Sequence, residues 1–143
     1  MSIEDNKQLV RTFFKHLEAQ NAEGVLSLLT EDATWWVPTD QIGGATMPKS
    51  AMSAILPAMY SVYSKRPKIW LGRMTAEGDR VCVEQTAREG LTKGGLVYEN
   101  DYLMFFVLEG KLIKEIREYL NPIPAARLAV EVEPVLKARS GGA

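Results

Sequence analysis

The run LVYENDYLMFFVLEGKLIKEIREYLNP, residues 96–122, decides the fold. Two stretches rich in aromatic and β-branched residues flank EGK, Glu109 to Lys111. Stretches of that kind joined by a tight turn form neighbouring antiparallel strands. Side chains alternate along a strand. Tyr98, Asn100, Tyr102, Met104 and Phe106 therefore share one face of the first strand, and Ile116, Glu118 and Leu120 share one face of the second. The apolar company of Glu118 directs its face into a core. A buried acid without a partner is costly and tends to hold its proton. Glu118 is thus either satisfied by neighbours or placed there for chemistry.

The pattern extends upstream. KIWLGRMTA, residues 68–76, and RVCVEQTARE, residues 80–89, alternate in the same way around the turn EGD, Glu77 to Asp79. KGG, Lys93 to Gly95, separates them from the decisive run. Val81, Val83, Gln85 and Ala87 fall on one face, which is assigned to the concave side. Leu103, Phe105 and Val107 make the other face of the next strand apolar too. A sheet apolar on both faces calls for a second partner outside, most simply another copy of the chain.

Before the meander the period is helical. Leu9, Val10, Phe13, Phe14 and Leu17 recur on one face of a first helix that Ser2 or Asp5 can cap. Asn21 caps a short second helix, and ATWWVP, residues 33–38, reads as a strand closed by Pro38. Gln41 to Gly44 is a loop. A third helix is predicted from Pro48 to Ser64, with a kink or break at Pro57. After Pro122 the sequence predicts a C-terminal extension, residues 123–143, with a short helix around Ala125 to Val130 and a disordered tail. Helices followed by a meander of long strands predict one α+β domain over residues 1–122, a curved antiparallel sheet packed against three helices. Such a sheet encloses a cone with a cavity at its mouth.

Composition narrows the function. The 143 residues carry a formal net charge of −1, with 46% hydrophobic and 24% charged residues, as in an ordinary globular protein. No basic stripe marks a nucleic-acid surface. No apolar run reaches the roughly 20 residues needed to span a bilayer, and MSIEDNKQLV lacks the pattern of a secretory signal. A cytoplasmic protein is expected. Cys82 stands alone, so no internal disulfide forms, and the lone His16 argues against a metal site. No cofactor is expected.

FFKHLEAQNAEGVLSLLTEDATW (13–35), AEGDRVCVE (76–84), YENDYLMFFVLEGKL (98–112) and REYLNP (117–122) together resemble the SnoaL-like and ketosteroid-isomerase-like branch of the nuclear transport factor 2-like superfamily. The resemblance covers about Asp5 to Pro122. It implies a cone-shaped α+β barrel of cystatin-like fold, a dimer through the outer sheet face, and an apolar pocket. It does not fix function, since enzymes and non-catalytic modules share this fold. At the position of the isomerases' general-base Asp this chain has Val37, and at their oxyanion tyrosine it has Phe13. Neither can play those parts. The triad of limonene-epoxide-hydrolase type is kept only at its last acid, Glu118. Its Arg corresponds to Gln85, its other Asp to Ala87, and its water-holding Tyr and Asn to Trp35 and Val37.

Glu118 is the candidate acid or base. Gln85, Tyr98, Asn100, Tyr102 and Trp35 are the candidate substrate-binding residues, the aromatics as walls and the amides and hydroxyls as positioning groups. Asp40, at the cavity mouth, is a further candidate partner for Glu118, although loop aspartates usually serve turns. His16 and Cys82 are read as a partly exposed side chain and a small buried hydrophobe, and Met52, Met59 and Tyr63 as core. Two functions stay open: proton-transfer chemistry on a small apolar metabolite, as in an isomerase, hydrolase or lyase, or a non-catalytic dimer that binds a ligand or protein.

Overall fold

A computed structural model describes residues 2–38 and 46–141. Chain order is α1 (Ile3–Glu18), α2 (Ala22–Ser27), β1 (Leu29–Trp36), β2 (Thr46–Pro48), α3 (Lys49–Ser61), β3 (Tyr63–Lys65), β4 (Lys68–Glu77), β5 (Arg80–Thr92), β6 (Val97–Glu109), β7 (Leu112–Leu120) and α4 (Pro122–Gly141). Local chemistry explains the first helices. Ser2 caps α1 in a reciprocal box: its Oγ accepts from Asp5 N–H at 3.0 Å, and Asp5 accepts from Ser2 N–H at 3.1 Å. Asn21 Oδ1 accepts from Gly24 N–H at 3.1 Å to start α2.

The sheet runs β2-β1-β7-β6-β5-β3, with β4 also on β5. β4, β5, β6 and β7 form the expected antiparallel meander. β1, however, lies parallel to β7, so the sheet is mixed. Tight turns reveal only sequential neighbours, and β1 pairs with a strand from the other end of the chain. Gln85 stands opposite Tyr102, Tyr102 opposite Leu120, and Met104 opposite Glu118. That register puts the candidate residues on one concave face. In β5, Arg88 and Glu89 together oppose the single residue Glu99 between the pairs Ala87↔Asn100 and Gly90↔Tyr98. Glu89 takes a φ of 64° there, and its carboxylate is held by Lys65 and Lys68. A bulge of this type bends its strand and tightens the cone. A Cβ at Gly90 would meet Pro67 at 2.8 Å, so only glycine fits that bend.

α1 and α3 fill the hollow. Phe13, Phe14, Trp35 and Phe106 pack ring to ring at 5.3–5.8 Å, edge-on or tilted as aromatic quadrupoles prefer. Pro57 does not break α3. Burial of Met52, Ile55, Leu56 and Ala58 outweighs the one missing N–H. The helix stops before Ser64, because Tyr63–Lys65 joins the sheet edge as β3.

α4 is twenty residues long rather than the short helix expected around Ala125 to Val130. Prolines blur its periodicity in sequence, whereas its length comes from tertiary contacts. Leu128, Ala129 and Val132 are buried. Glu131 accepts from Thr92 Oγ1 at 2.9 Å and from Gly94 N–H at 3.2 Å, which ties the helix to the β5–β6 turn. Among the described residues no helix is long and apolar enough to cross a membrane.

Candidate functional site

Between the concave sheet face, α3 and α4 lies a cavity of about 170 Å³. Its walls are mainly apolar: Met47, Met52, Ile55, Leu56 and Met59 face Trp35, Ile69 and Met104, and α4 adds Ala125, Leu128 and Ala129. No lysine, arginine or histidine lines it among the described residues. The polar groups on the sheet wall are Glu118, Gln85, Tyr98 and Tyr102, with Tyr63 from β3 at the sheet edge, Tyr60 from α3, and Glu18 and Gln20 from the end of α1 and the turn after it.

Glu118 lies beside apolar neighbours, and the surface it keeps open faces the cavity. Trp35 Nε1 donates to its Oε1 at 3.1 Å. Burial pushes its carboxyl up to about 7, against the smaller opposing pull of the Trp35 hydrogen bond.

Tyr98 and Tyr102 are joined at 2.5 Å between their hydroxyl oxygens. Asn100 Nδ2 donates to Tyr98 Oη at 3.0 Å and to the Asn121 carbonyl at 3.0 Å. Asn100 Oδ1 accepts from the N–H groups of Asp101 at 2.8 Å and Asn121 at 3.1 Å. Two backbone donors fix the amide's orientation, so Nδ2 must be the group on Tyr98. Burial pushes the Tyr98 phenol up to about 12 and raises the Tyr102 phenol well above its ordinary value. Both stay protonated and can donate.

Of the six sequence candidates, Glu118, Gln85, Tyr98, Tyr102 and Trp35 line the cavity. Asn100 does not. It is 3% exposed, and its side chain is fully engaged with Tyr98 and the start of α4. It positions Tyr98 rather than meeting a ligand. Asp40 and the 41–44 loop lie outside the described residues. Val37 lines the cavity and Phe13 is core, so the isomerase base and donor positions are apolar. His16 is partly exposed, with its Nδ1 at 3.2 Å from Asn21 Nδ2. Cys82 is half-buried rather than buried, because it lies on the outer sheet face.

Sequence reasoning missed the α3 and α4 walls. Met52, Met59 and Tyr63 read as core by spacing yet line the cavity, as does Tyr60. Helical periodicity separates inside from outside but does not separate packed interior from hollow interior.

The protein is thus an α+β cone whose curled sheet and helices surround an apolar chamber with a buried acid. The chain belongs to the SnoaL-like domain family, whose sequence profile matches residues 10–116. The fold is that of nuclear transport factor 2-like proteins. The PrhC structure from Penicillium brasilianum superposes with a TM-score of 0.80 at 18% identity, covering 95% of this chain and 96% of that one. A nuclear transport factor 2-like protein from Burkholderia xenovorans gives 0.68 at 25% identity, with 90% and 98% covered. A protein of ketosteroid isomerase-like fold from Catenulispora acidiphila, in complex with trimethylamine, gives 0.65 at 17% identity, with 78% and 83% covered. A search of curated proteins found no match.

Proposed function

We propose that this SnoaL-like protein binds a small, largely apolar metabolite in the cone and moves a proton on it, without a cofactor, using Glu118. The observation that carries this reading is the state of Glu118: a carboxyl facing the chamber, with Trp35 as its hydrogen-bond donor and a pKa raised by burial to about 7. A carboxyl of this kind serves as acid or base near neutral pH.

A count of phenolic protons supplies the second part. Tyr98 Oη already accepts from Asn100. The Tyr98–Tyr102 contact uses one of the two phenolic protons, whichever ring donates. Neither phenol has a further partner among the described residues, so one O–H remains to donate to a substrate oxygen. Such a preorganised donor in an apolar site stabilises developing negative charge. Glu118 then takes a proton from an adjacent carbon or hydroxyl, or delivers one to a leaving oxygen. Isomerisation, dehydration, cyclisation and epoxide opening can each use such a pairing. Gln85, half of whose amide is a donor and half an acceptor, orients the substrate.

The test is a carboxyl-carbon NMR titration of Glu118 in the wild type. A midpoint near 7 supports acid–base work; a midpoint near the ordinary 4.5 removes it.

A second reading, a dimer that only binds, draws on the outer sheet face. Leu103 and Tyr119 are 47% and 44% exposed there, beside Phe105 and Trp36. We propose that this face pairs with a second copy of the chain in either case, since a dimer is compatible with catalysis and with binding alone.

A further inference from the structure

Gln85 is only 3% exposed and lines the chamber from the middle of β5. Across the ladder it stands between Leu71 of β4 and Tyr102 of β6, and Val83 and Ala87 flank it on its own strand face. Of these neighbours only Tyr102 is polar, and its hydroxyl is joined to that of Tyr98. Among the described residues neither atom of the Gln85 amide makes a hydrogen bond, yet the amide is not sealed off as the Tyr60 hydroxyl is. A methionine would fill the same space without leaving a donor and an acceptor unpaired. The partner of this amide therefore comes from the chamber: water in the free protein, the ligand in the complex. Glu18 and Gln20 differ in this respect. Glu18 accepts from Ile69 N–H at 2.6 Å, and Gln20 is partly exposed in the turn after α1, where solvent reaches it.

We infer that Gln85 selects the ligand by reading a donor and an acceptor side by side on an uncharged ring, the O=C–N–H edge of a lactam. This rests on the pocket reading above and names the substrate class of that site. A primary amide carries its own donor and acceptor next to each other in one plane. An edge of the opposite order satisfies both at once, as when a glutamine reads adenine. Nε2 donates to the ligand carbonyl, and Oε1 accepts from the ligand N–H. The carbonyl's second lone pair is left for the free O–H of the Tyr98–Tyr102 pair, because Tyr102 is the cross-strand neighbour of Gln85. Glu118 lies one strand further, on β7 opposite Met104, so the acid and the amide flank the tyrosines. A carboxylic acid offers the same edge only while it holds its proton. Once ionised it loses the donor, and it meets walls that carry Glu118 and Glu18 and no lysine, arginine or histidine among the described residues. An anion's charge goes unpaired there, so the edge belongs to a neutral amide.

The test is calorimetric titration of the full chain with 2-quinolinone, coumarin and 2-naphthoate. 2-Quinolinone and coumarin share one shape and differ in the group beside the carbonyl, N–H in the lactam and oxygen in the lactone. The wild type is expected to bind 2-quinolinone about tenfold tighter than coumarin, the value of one good hydrogen bond, and 2-naphthoate more weakly than either. Gln85→Met keeps the length of the side chain and removes both polar atoms. It is expected to bring the two affinities within about twofold of each other. Circular dichroism checks its fold, and the wild-type comparison stands without it. Equal affinities for lactam and lactone in the wild type, a gap that persists in Gln85→Met, or no binding of 2-quinolinone overturns the inference. Binding of 2-naphthoate tighter than that of coumarin overturns the neutral edge. The carboxyl-carbon signal of Glu118 separates the two levels. If it titrates near 7 and shifts when coumarin binds, while Gln85→Met changes nothing, only this inference fails. If it titrates near the ordinary 4.5, the reading beneath it fails as well.

Discussion

The indole N–H of Trp35 donates to Glu118 Oε1 at 3.1 Å, joining parallel neighbours β1 and β7 inside the cone. Trp35 is 5% exposed, so this donor is fixed by packing against Phe13 rather than by solvent. A hydrogen bond to the ionised form holds a carboxyl's pKa down. Trp35→Phe removes it, and the Glu118 midpoint is expected to move further above 7 in a carboxyl-carbon titration. Movement toward 4.5 would mean that water, not burial, governs the site.

Glu118 also sets a pH dependence of stability. Folding raises its pKa from 4.5 to about 7, so the native state binds its proton more tightly than the unfolded chain. The stabilisation tied to this group is complete below 4.5 and is lost as pH rises through 7. Glu118→Gln abolishes that loss. Relative to wild type, its urea-unfolding free energy is expected to gain up to roughly 3 kcal/mol between pH 4 and pH 8. Parallel pH profiles for the two proteins would contradict the raised pKa.

The inward faces of β5, β6 and β7 were legible from alternation alone, because each strand buries one face and exposes the other. Val81, Val83 and Gln85 are buried as that pattern requires, and Glu118 faces the chamber. The parallel pairing of β1 with β7 was not legible, since no turn connects them. The length of α4 was hidden for a related reason: Glu131 and Leu128 hold it through partners on other elements, and Pro124 and Pro134 interrupt its own pattern. Asn100 was placed on the correct face but assigned to the ligand. Alternation reports the direction of a side chain and not what it finds there, which in this case is Tyr98 and the Asn121 backbone.

That engagement gives Asn100 a measurable role. Asn100→Ala removes two donated and two accepted hydrogen bonds in a buried position. The groups left behind lose their partners away from water, and the variant is expected to be roughly 3 kcal/mol less stable in urea unfolding. A loss below about 1 kcal/mol would show that the network relaxes onto water. The same substitution frees Tyr98 to rotate, even though Asn100 does not touch the cavity.

On the opposite side of the sheet, Arg117 lies 4.1 Å from the Trp36 ring centroid and Trp36 packs on Tyr119 at 5.1 Å. Leu103 pairs across the ladder with Tyr119 and Glu84. An exposed apolar and aromatic surface of this kind is the sort that a second subunit covers. Light scattering coupled to size exclusion is expected to give a dimer for the wild type and a monomer for Leu103→Asp, with unchanged circular dichroism. A monomeric wild type would exclude pairing through this face.

Tyr60→Phe removes a polar group that folding leaves unsatisfied. The hydroxyl it removes is buried and has no protein partner among the described residues, so in the free protein its loss relieves a desolvated group and leaves the ring packing intact. The ligand-free variant is expected to be more stable than wild type by about 1 kcal/mol in urea unfolding. Most core substitutions destabilise, so a gain here identifies a polar atom retained against the needs of folding. If the variant is less stable than wild type, the hydroxyl has a structural partner in the free protein.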